Sequence, residues 1–169
     1  MRLSRRQLLV LAAAPPLLAA AGTAAVGLSW WDQPQAAGYR HLSAVEAETL
    51  RAFAGAAWPP TAACPLDGEL AQLDQYLDQA MADLGELPRQ GIRMLLHLLD
   101  HLPLPTDGAR FRALPREDRG RLLLRWLDGD LPELRSAMQS LVVLTGMGYT
   151  SHPGAEGTFA TIYRCRYGR

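Results

Sequence analysis

Prolines divide the middle of this chain into short segments, and within each segment the apolar residues recur with the period of an α-helix. Apolar side chains recur three and four positions apart between the breaks, which places them on one stripe of a helix. Ser43 and Glu46 form a capping-box pattern at the start of the first segment, and Pro59-Pro60 ends it. We therefore predict five helices, over residues 43–57, 69–84, 88–102, 115–128 and 132–146.

No stretch alternates apolar and polar residues with the two-residue period of a strand between hairpin turns. We therefore predict an all-α fold, a small bundle of about five helices preceded by an N-terminal signal or anchor helix. After Gly146 the sequence becomes rich in turn-forming residues, which predicts an irregular C-terminal tail studded with aromatic residues. Such a tail either lies over its own helices or anchors on another protein.

A paired-arginine motif lies near the N-terminus, ahead of an uncharged apolar run. The motif residues are Ser4, Arg5, Arg6, Leu8 and Leu9. This pattern is typical of a twin-arginine signal, which exports a folded protein to the bacterial periplasm and makes the twin-arginine translocase a predicted partner. Residues 8–28 are 21 residues long, enough at ~1.5 Å per residue to remain as an inner-membrane anchor instead of being removed. We divide the chain into a signal or anchor at 1–30, a linker at 31–40 and a helical domain at 41–169.

The charge balance argues against nucleic acid as a partner. Three of the 17 basic residues belong to the signal, which leaves 14 basic against 17 acidic side chains in the remainder. Acidic residues concentrate in 67–86 and arginines in 110–125. This separation predicts two solvated faces that attract each other across the bundle, or a docking surface in which arginine makes bidentate contacts.

The sequence offers few groups for catalysis or cofactor binding. His97 and His101 have the four-residue spacing of two zinc ligands on one helix, but the glutamate that a zinc hydrolase carries beside its first histidine is missing. Both histidines point away from the apolar stripe of their helix, which predicts exposure. No glycine-rich dinucleotide motif follows a strand, and no cysteine spacing fits a haem or an iron–sulfur cluster. We predict no catalytic residue, metal or cofactor in this chain.

Cys64 and Cys165 would both enter the oxidising periplasm. Three interpretations are open: a disulfide between them that ties the tail to the first loop, two free thiols, or a bond from one cysteine to another chain. Sequence spacing does not decide among these three interpretations.

Some apolar residues exceed what one buried stripe can hold, notably at Leu122-Leu123-Leu124. Aromatic residues, which are favoured at interface centres, add to them in the tail. The candidate partner-contact residues are Met94, Leu98, Leu123, Trp126, Tyr149, Phe159, Tyr163 and Tyr167.

Four stretches of sequence carry a family resemblance: residues 41–47 (HLSAVEA), 57–61 (AWPPT), 111–119 (FRALPREDR) and 141–153 (LVVLTGMGYTSHP). Together they resemble the gluconate 2-dehydrogenase subunit 3 family. The resemblance implies a non-catalytic small subunit of a periplasmic dehydrogenase for a sugar, sugar acid or alcohol. In that family the large subunit is a flavoprotein of the glucose–methanol–choline type that binds FAD, and a cytochrome c subunit often accepts the electrons. The small subunit supplies the export signal, and Ser4, Arg5 and Arg6 match that role.

Two other functions stay open from the residues alone. One is a stand-alone periplasmic structural protein that residues 8–28 anchor in the membrane. The other is a small metal-dependent enzyme that uses His97 and His101.

Overall fold

The structure is a computed structural model, and it describes residues 33–162 apart from the side chains of Glu156 and residues 159–162. The helices are α1 Ala44–Ala57, α2 Leu73–Ala82, α3 Glu86–His101, α4 Arg116–Leu127, α5 Pro132–Thr150 and α6 Pro153–Ile162. A helical turn at Leu104–Asp107 and a 3-10 turn at Phe111–Ala113 connect α3 to α4. Across residues 33–162 the only extended pairing is an isolated bridge between Gln35 and Ser43. The all-α prediction is confirmed for this part of the chain, whereas the predicted N-terminal helix lies outside it.

Helix α1 is the centre of the domain. Its capping box is complete, because the Glu46 N–H donates to Ser43 Oγ at 3.3 Å and the Ser43 N–H donates to Glu46 Oε2 at 2.7 Å. The helix packs against α2, α3 and α4. Because three helices cover it, α1 buries polar side chains as well as the apolar Leu50 and Phe53.

Helices α3 and α5 lie in different outer layers. α3 packs against α1 and the 3-10 turn, whereas α5 packs against α2, α4 and α6. Since α2 and α4 contact both α1 and α5, they form the layer between them. Each of the two outer helices therefore keeps a face that no other described element covers heavily.

The predicted apolar stripes form the core. Leu77 and Met81 of α2 and Leu96 and Leu99 of α3 are almost fully buried and join the α1 side chains in one cluster. A second, smaller cluster surrounds Tyr149 at the end of α5. Within residues 33–162, no helix combines the length and the apolar character needed to cross a lipid bilayer.

The predicted irregular tail is helical as far as the structure describes it. α5 continues past Gly146 to Thr150, and α6 follows at Pro153–Ile162. A Cβ at Gly146 would lie 3.0 Å from Trp58 Cζ2, and one at Gly148 would lie 2.5 Å from Tyr76 Cδ1. The two glycines therefore serve close packing of α5 and do not end the helix.

The segment that we assigned to a linker belongs to the domain from Gln35 onward. The compact unit begins at Gln35, and the Ala36 N–H donates to the Leu42 carbonyl at 2.9 Å. Tyr39 Oη donates to Asp74 Oδ2 at 2.5 Å. These contacts move the domain boundary from residue 41 to residue 35.

Candidate protein interfaces

The outward face of α3 is apolar along its length. Leu87, Met94 and Leu98 are 80%, 55% and 44% exposed, and they share one helix face with Gly91. From residue 91 to residue 101, the exposed residues of α3 are Gly91, Met94 and Leu98, and none of them is charged. A solvated helix normally presents charged side chains at such positions. This face, the α3 stripe (Leu87, Gly91, Met94 and Leu98), therefore fits contact with another protein and contains the predicted residues Met94 and Leu98.

Gly91 leaves a gap in the middle of the α3 stripe, since no atom lies within 4 Å of the place a Cβ would take. The charged side chains near the two ends of α3 lie off the stripe, and Arg110 contacts Asp100, which is fully buried on the opposite side of the helix. The side chain of Glu86, at the start of α3, is 71% exposed. That of Arg110 is 45% exposed, and its Nη1 lies 3.9 Å from Asp100 Oδ2 in the last turn of α3.

The outward face of α5 carries no charge after its first turn, in which Glu133 is exposed. Residues 136–155 contain no Asp, Glu, Lys or Arg, and Val143 and Met147 are 61% and 56% exposed. Ser140 Oγ donates to the Ser136 carbonyl at 2.8 Å, and Thr150 Oγ1 donates to the Gly146 carbonyl at 2.9 Å. Because these hydroxyls bond within the helix, covering them costs little desolvation. We call Ser136, Ser140, Val143, Met147 and Thr150 the α5 face.

The sequence analysis did not predict Leu87 and Gly91 as partner-contact residues. It did not predict the α5 face either. The charge-free run of 20 residues, 136–155, was the available signal for α5. For α3 the signal was a second apolar stripe that continues from Met94 and Leu98 toward the start of the helix.

Three predicted partner-contact residues instead lie in the interior, so their assignment to an exposed interface is wrong. Leu123 is 4%, Trp126 9% and Tyr149 3% exposed. The Trp126 ring packs on Phe111 at 5.9 Å between centroids, and the Tyr149 ring stacks on Trp58 at 5.1 Å. The Phe159 side chain, Tyr163 and Tyr167 lie outside the part of the chain that the structure describes.

His97 is buried, contrary to the predicted exposure. It is 3% exposed, and its Nε2 lies 3.0 Å from Glu46 Oε1. Arg93 Nε donates to the same oxygen at 2.8 Å. His101 Nδ1 donates to the His97 carbonyl at 2.8 Å. The helical wheel of α3 could not reveal this burial, because Glu46 of α1 supplies the polar partner.

The Glu46 carboxylate is ionised at neutral pH. Burial by itself would raise its pKa, but hydrogen bonds from His97 and the Ser43 N–H, together with the Arg93 charge, lower the pKa to about 2. The network of Arg93, Glu46 and His97 thus joins α3 to the start of α1. Among residues 33–162, no three His, Cys, Asp or Glu side chains are grouped so that they could hold a metal ion.

The acidic and basic segments do attract each other, as one of the two interpretations predicted. Arg116 Nη1 and Nη2 donate to Asp67 Oδ2 and Oδ1 at 2.6 and 2.8 Å, and Nη2 also donates to the Gly55 carbonyl at 2.8 Å. The hydrogen bonds from Arg116 lower the pKa of Asp67. Arg119 is less well matched, because its Nη2 lies 3.9 Å from Glu69 Oε2 and its buried Nε has no hydrogen-bond partner.

Asp78 of the acidic segment turns inward. Its carboxylate accepts the N–H groups of Arg40, His41 and Leu42 at 2.8 to 2.9 Å, and only 4% of the residue is exposed. Beside it, an open polar hollow of about 560 Å³ lies between Arg40 and α2. The three hydrogen bonds from backbone N–H groups explain why the Asp78 carboxylate is buried, so its position does not require a bound ligand.

Cys64 packs beside Tyr149 in the loop after α1. Its Sγ lies 3.2 Å from Tyr149 Oη, which also donates to the Leu66 carbonyl at 2.7 Å. Burial raises the pKa of Tyr149. Cys165 lies outside the described residues, so the disulfide stays a prediction.

The signal residues Ser4, Arg5, Arg6, Leu8 and Leu9 also lie outside the described residues, and the twin-arginine prediction depends on the sequence motif. No protein family, curated protein or solved structure matches this chain.

Proposed function

We propose that this chain is the non-catalytic small (gamma) subunit of a periplasmic flavin-dependent dehydrogenase, acting as its export escort and structural partner. In this assignment an FAD-bearing large subunit of the glucose–methanol–choline type oxidises a sugar, sugar acid or alcohol, and a cytochrome c subunit receives the electrons. The observation that carries the proposal is the pairing of a twin-arginine motif at Arg5-Arg6 with a small domain that exposes uncharged helix faces. The resemblance of residues 41–153 to the small-subunit family supports it.

The α5 face is the docking surface for the large subunit in this proposal. It lacks charge from Ser136 to Thr150, and the Ser140 and Thr150 hydroxyls bond to carbonyls of their own helix. A partner can therefore bury it without burying a charge, and the centres of protein interfaces are depleted in charged residues. Val143 and Met147 supply its apolar contacts.

Export is tested by replacing the paired arginines. We expect the double variant Arg5→Lys, Arg6→Lys, expressed with the FAD-bearing subunit, to leave dehydrogenase activity in the cytoplasm. Activity in a whole-cell lysate should stay close to that of the wild type, because no catalytic group changes. Activity that still reaches the periplasm would contradict the escort role.

Docking is tested on the same pair of subunits. Val143→Glu or Met147→Glu places a charge on the α5 face, and we expect either variant to abolish co-purification with the flavoprotein. Leu70→Glu is the matched control, because Leu70 is 76% exposed and lies on neither outward face. A wild-type chain that elutes alone from the membrane fraction, with no flavoprotein, would instead favour the stand-alone anchored protein.

A further inference from the structure

We propose that residues 68–72 switch between the turn seen in the structure and a straight continuation of α2. The predicted second helix began at residue 69, whereas α2 begins at Leu73, because Gln72 has a φ of 52° in the left-handed region. The switch is a conformational change within the domain. It goes beyond the export and docking roles and does not depend on them.

The local sequence favours the straight form. Residues 69–72 are Glu, Leu, Ala and Gln, and all four are good helix formers. Asp67 already acts as a helix cap, because its Oδ1 accepts the Glu69 N–H at 2.9 Å and its carbonyl accepts the Leu70 N–H at 3.0 Å. A capped turn therefore begins after Asp67, and the left-handed backbone of Gln72 interrupts the path from this turn into α2.

Leu70 would gain apolar contacts in the straight form. It is 76% exposed in the turn. In a continuous helix it would lie three positions before Leu73 and seven before Leu77, and both of these residues are buried. Straightening would therefore direct an exposed leucine toward the buried face of α2, which is favourable.

The straight form would also satisfy backbone groups. The first N–H groups of any helix have no carbonyl partner inside that helix. In a continuous helix, the carbonyls of residues 69–71 would accept the N–H groups of residues 73–75. These three amides therefore distinguish the two forms.

Tertiary contacts hold the turn against this local preference. Arg116 Nη1 and Nη2 donate to Asp67 Oδ2 and Oδ1 at 2.6 and 2.8 Å. The Gly68 N–H donates to the Trp58 carbonyl at 2.9 Å, and a Cβ on Gly68 would collide with the Ala54 carbonyl. These contacts fix the start of the turn on α1 and α4. Because local and tertiary preferences oppose each other, the two arrangements differ little in free energy and exchange.

The first experiment measures the straight form in the full-length wild-type chain. We expect it as a minor state, populated at about 1 to 10%. NMR relaxation dispersion at the backbone amides of residues 68–75 gives this population. All of these amides should report the same value, because the segment switches as a unit.

The second experiment changes the backbone preference of residue 72 in opposite directions. Glycine adopts the left-handed conformation without strain and weakens a helix, so Gln72→Gly should lower the straight population roughly five-fold. Valine is β-branched and rarely adopts that conformation, so Gln72→Val should raise the population several-fold. The amides of residues 73–75 should then exchange with solvent more slowly. Gln75→Val is the matched control, because Gln75 is exposed inside α2, and it should leave the population unchanged.

The third experiment tests the burial of Leu70 by itself. Glutamine is a good helix former of similar length, so Leu70→Gln removes the apolar contacts of the straight form without weakening the helix. We expect the straight population to fall roughly five-fold. Thermal stability should hardly change, because Leu70 is exposed in the turn.

Three results would overturn the proposal. They are amides of residues 68–75 that show no exchange in the wild-type chain, a straight population that Gln72→Gly leaves unchanged, and one that Leu70→Gln leaves unchanged. These results decide the question even if Gln72→Val fails to fold.

Discussion

A single carboxylate, that of Glu46, holds the start of α1 against α3. It is 1% exposed and accepts hydrogen bonds from Arg93, His97 and the Ser43 N–H. Glu46→Gln leaves the Arg93 charge without its counterion, and we expect a loss of about 3 to 5 kcal/mol in the free energy of unfolding. Ser43→Ala keeps the carboxylate but removes one cap bond, and it should cost about 1 kcal/mol. Urea denaturation at neutral pH compares the two variants.

The same residue makes stability depend on pH. The pKa of Glu46 falls from its ordinary 4.5 to about 2 in the folded domain. A lowered pKa stabilises the folded state fully above the ordinary value, and this contribution is lost as the pH falls toward 2. The stability gap between wild type and Glu46→Gln should therefore shrink by roughly 3 kcal/mol between pH 5 and pH 2. A gap that stays constant over this range would contradict the assignment.

Two arginines one turn apart on α4 should respond in opposite directions to the same substitution. Arg119 is desolvated, which lowers its pKa, and its nearest carboxylate oxygen is 3.9 Å away. Arg119→Met removes this poorly compensated charge, and we expect a gain of about 1 to 2 kcal/mol. Arg116→Met breaks the bidentate contact with Asp67, and we expect a loss of about 1 to 3 kcal/mol. Equal losses in thermal melts of both variants would show that Arg119 is better solvated than its contacts indicate.

At the scale of the helices, α2 begins with an unfavourable residue. Gln72 precedes its first turn with φ of 52° in the left-handed region, and its side chain makes no cap bond. Gln72→Gly relieves this strain, and we expect a gain of about 0.5 to 1 kcal/mol. Gln75→Gly, at an exposed position inside α2, should cost about 1 kcal/mol. If both glycines destabilise the domain in urea, the left-handed conformation at Gln72 is not strained.

Local signals predicted most helices because those signals act within one turn. The Ser43–Glu46 capping box and Pro132 at the first position of α5 lie where the sequence placed them. The end of α5 was predicted wrongly because Gly146 and Gly148 were taken as helix breakers. Their absent side chains make room for Trp58 and Tyr76, and such long-range contacts leave no trace in the local sequence.

The candidate interface was predicted only in part for the same reason. Met94 and Leu98 are exposed as expected, but Leu123 and Trp126 lie inside because α4 is covered by both α1 and α5. An apolar pattern indicates which residues avoid water but not which neighbour covers them. Polar residues mislead in the opposite direction: Asp78 lies off the apolar stripe of α2, yet it is buried by the backbone of residues 40–42.

At the scale of the whole molecule, α6 packs beside the loop that contains Cys64. Thr158 Oγ1 donates to the Ala63 carbonyl at 3.0 Å, and Ala155 packs in the same cluster as Cys64 and Tyr149. Cys165 follows Thr158 by seven positions. The described part of α6 thus lies beside the loop that contains Cys64, which supports the disulfide prediction, whereas Cys165 itself lies outside the described residues.

We therefore expect the oxidised chain to contain a Cys64–Cys165 bond that closes a loop of about 100 residues and stabilises the domain by up to ~4.7 kcal/mol. Thermal melts with and without reductant measure this difference, and Cys165→Ser should melt like the reduced wild type under both conditions. Cys64→Ser should melt lower still, because it also replaces the thiol that contacts Tyr149 Oη.

Peptide mapping without reduction identifies the bond directly, and two unmodified thiols in protein recovered from the periplasm would contradict it. A cross-linked species of higher mass would show that one cysteine pairs with another chain instead. The difference in melting temperature with and without reductant would then depend on protein concentration.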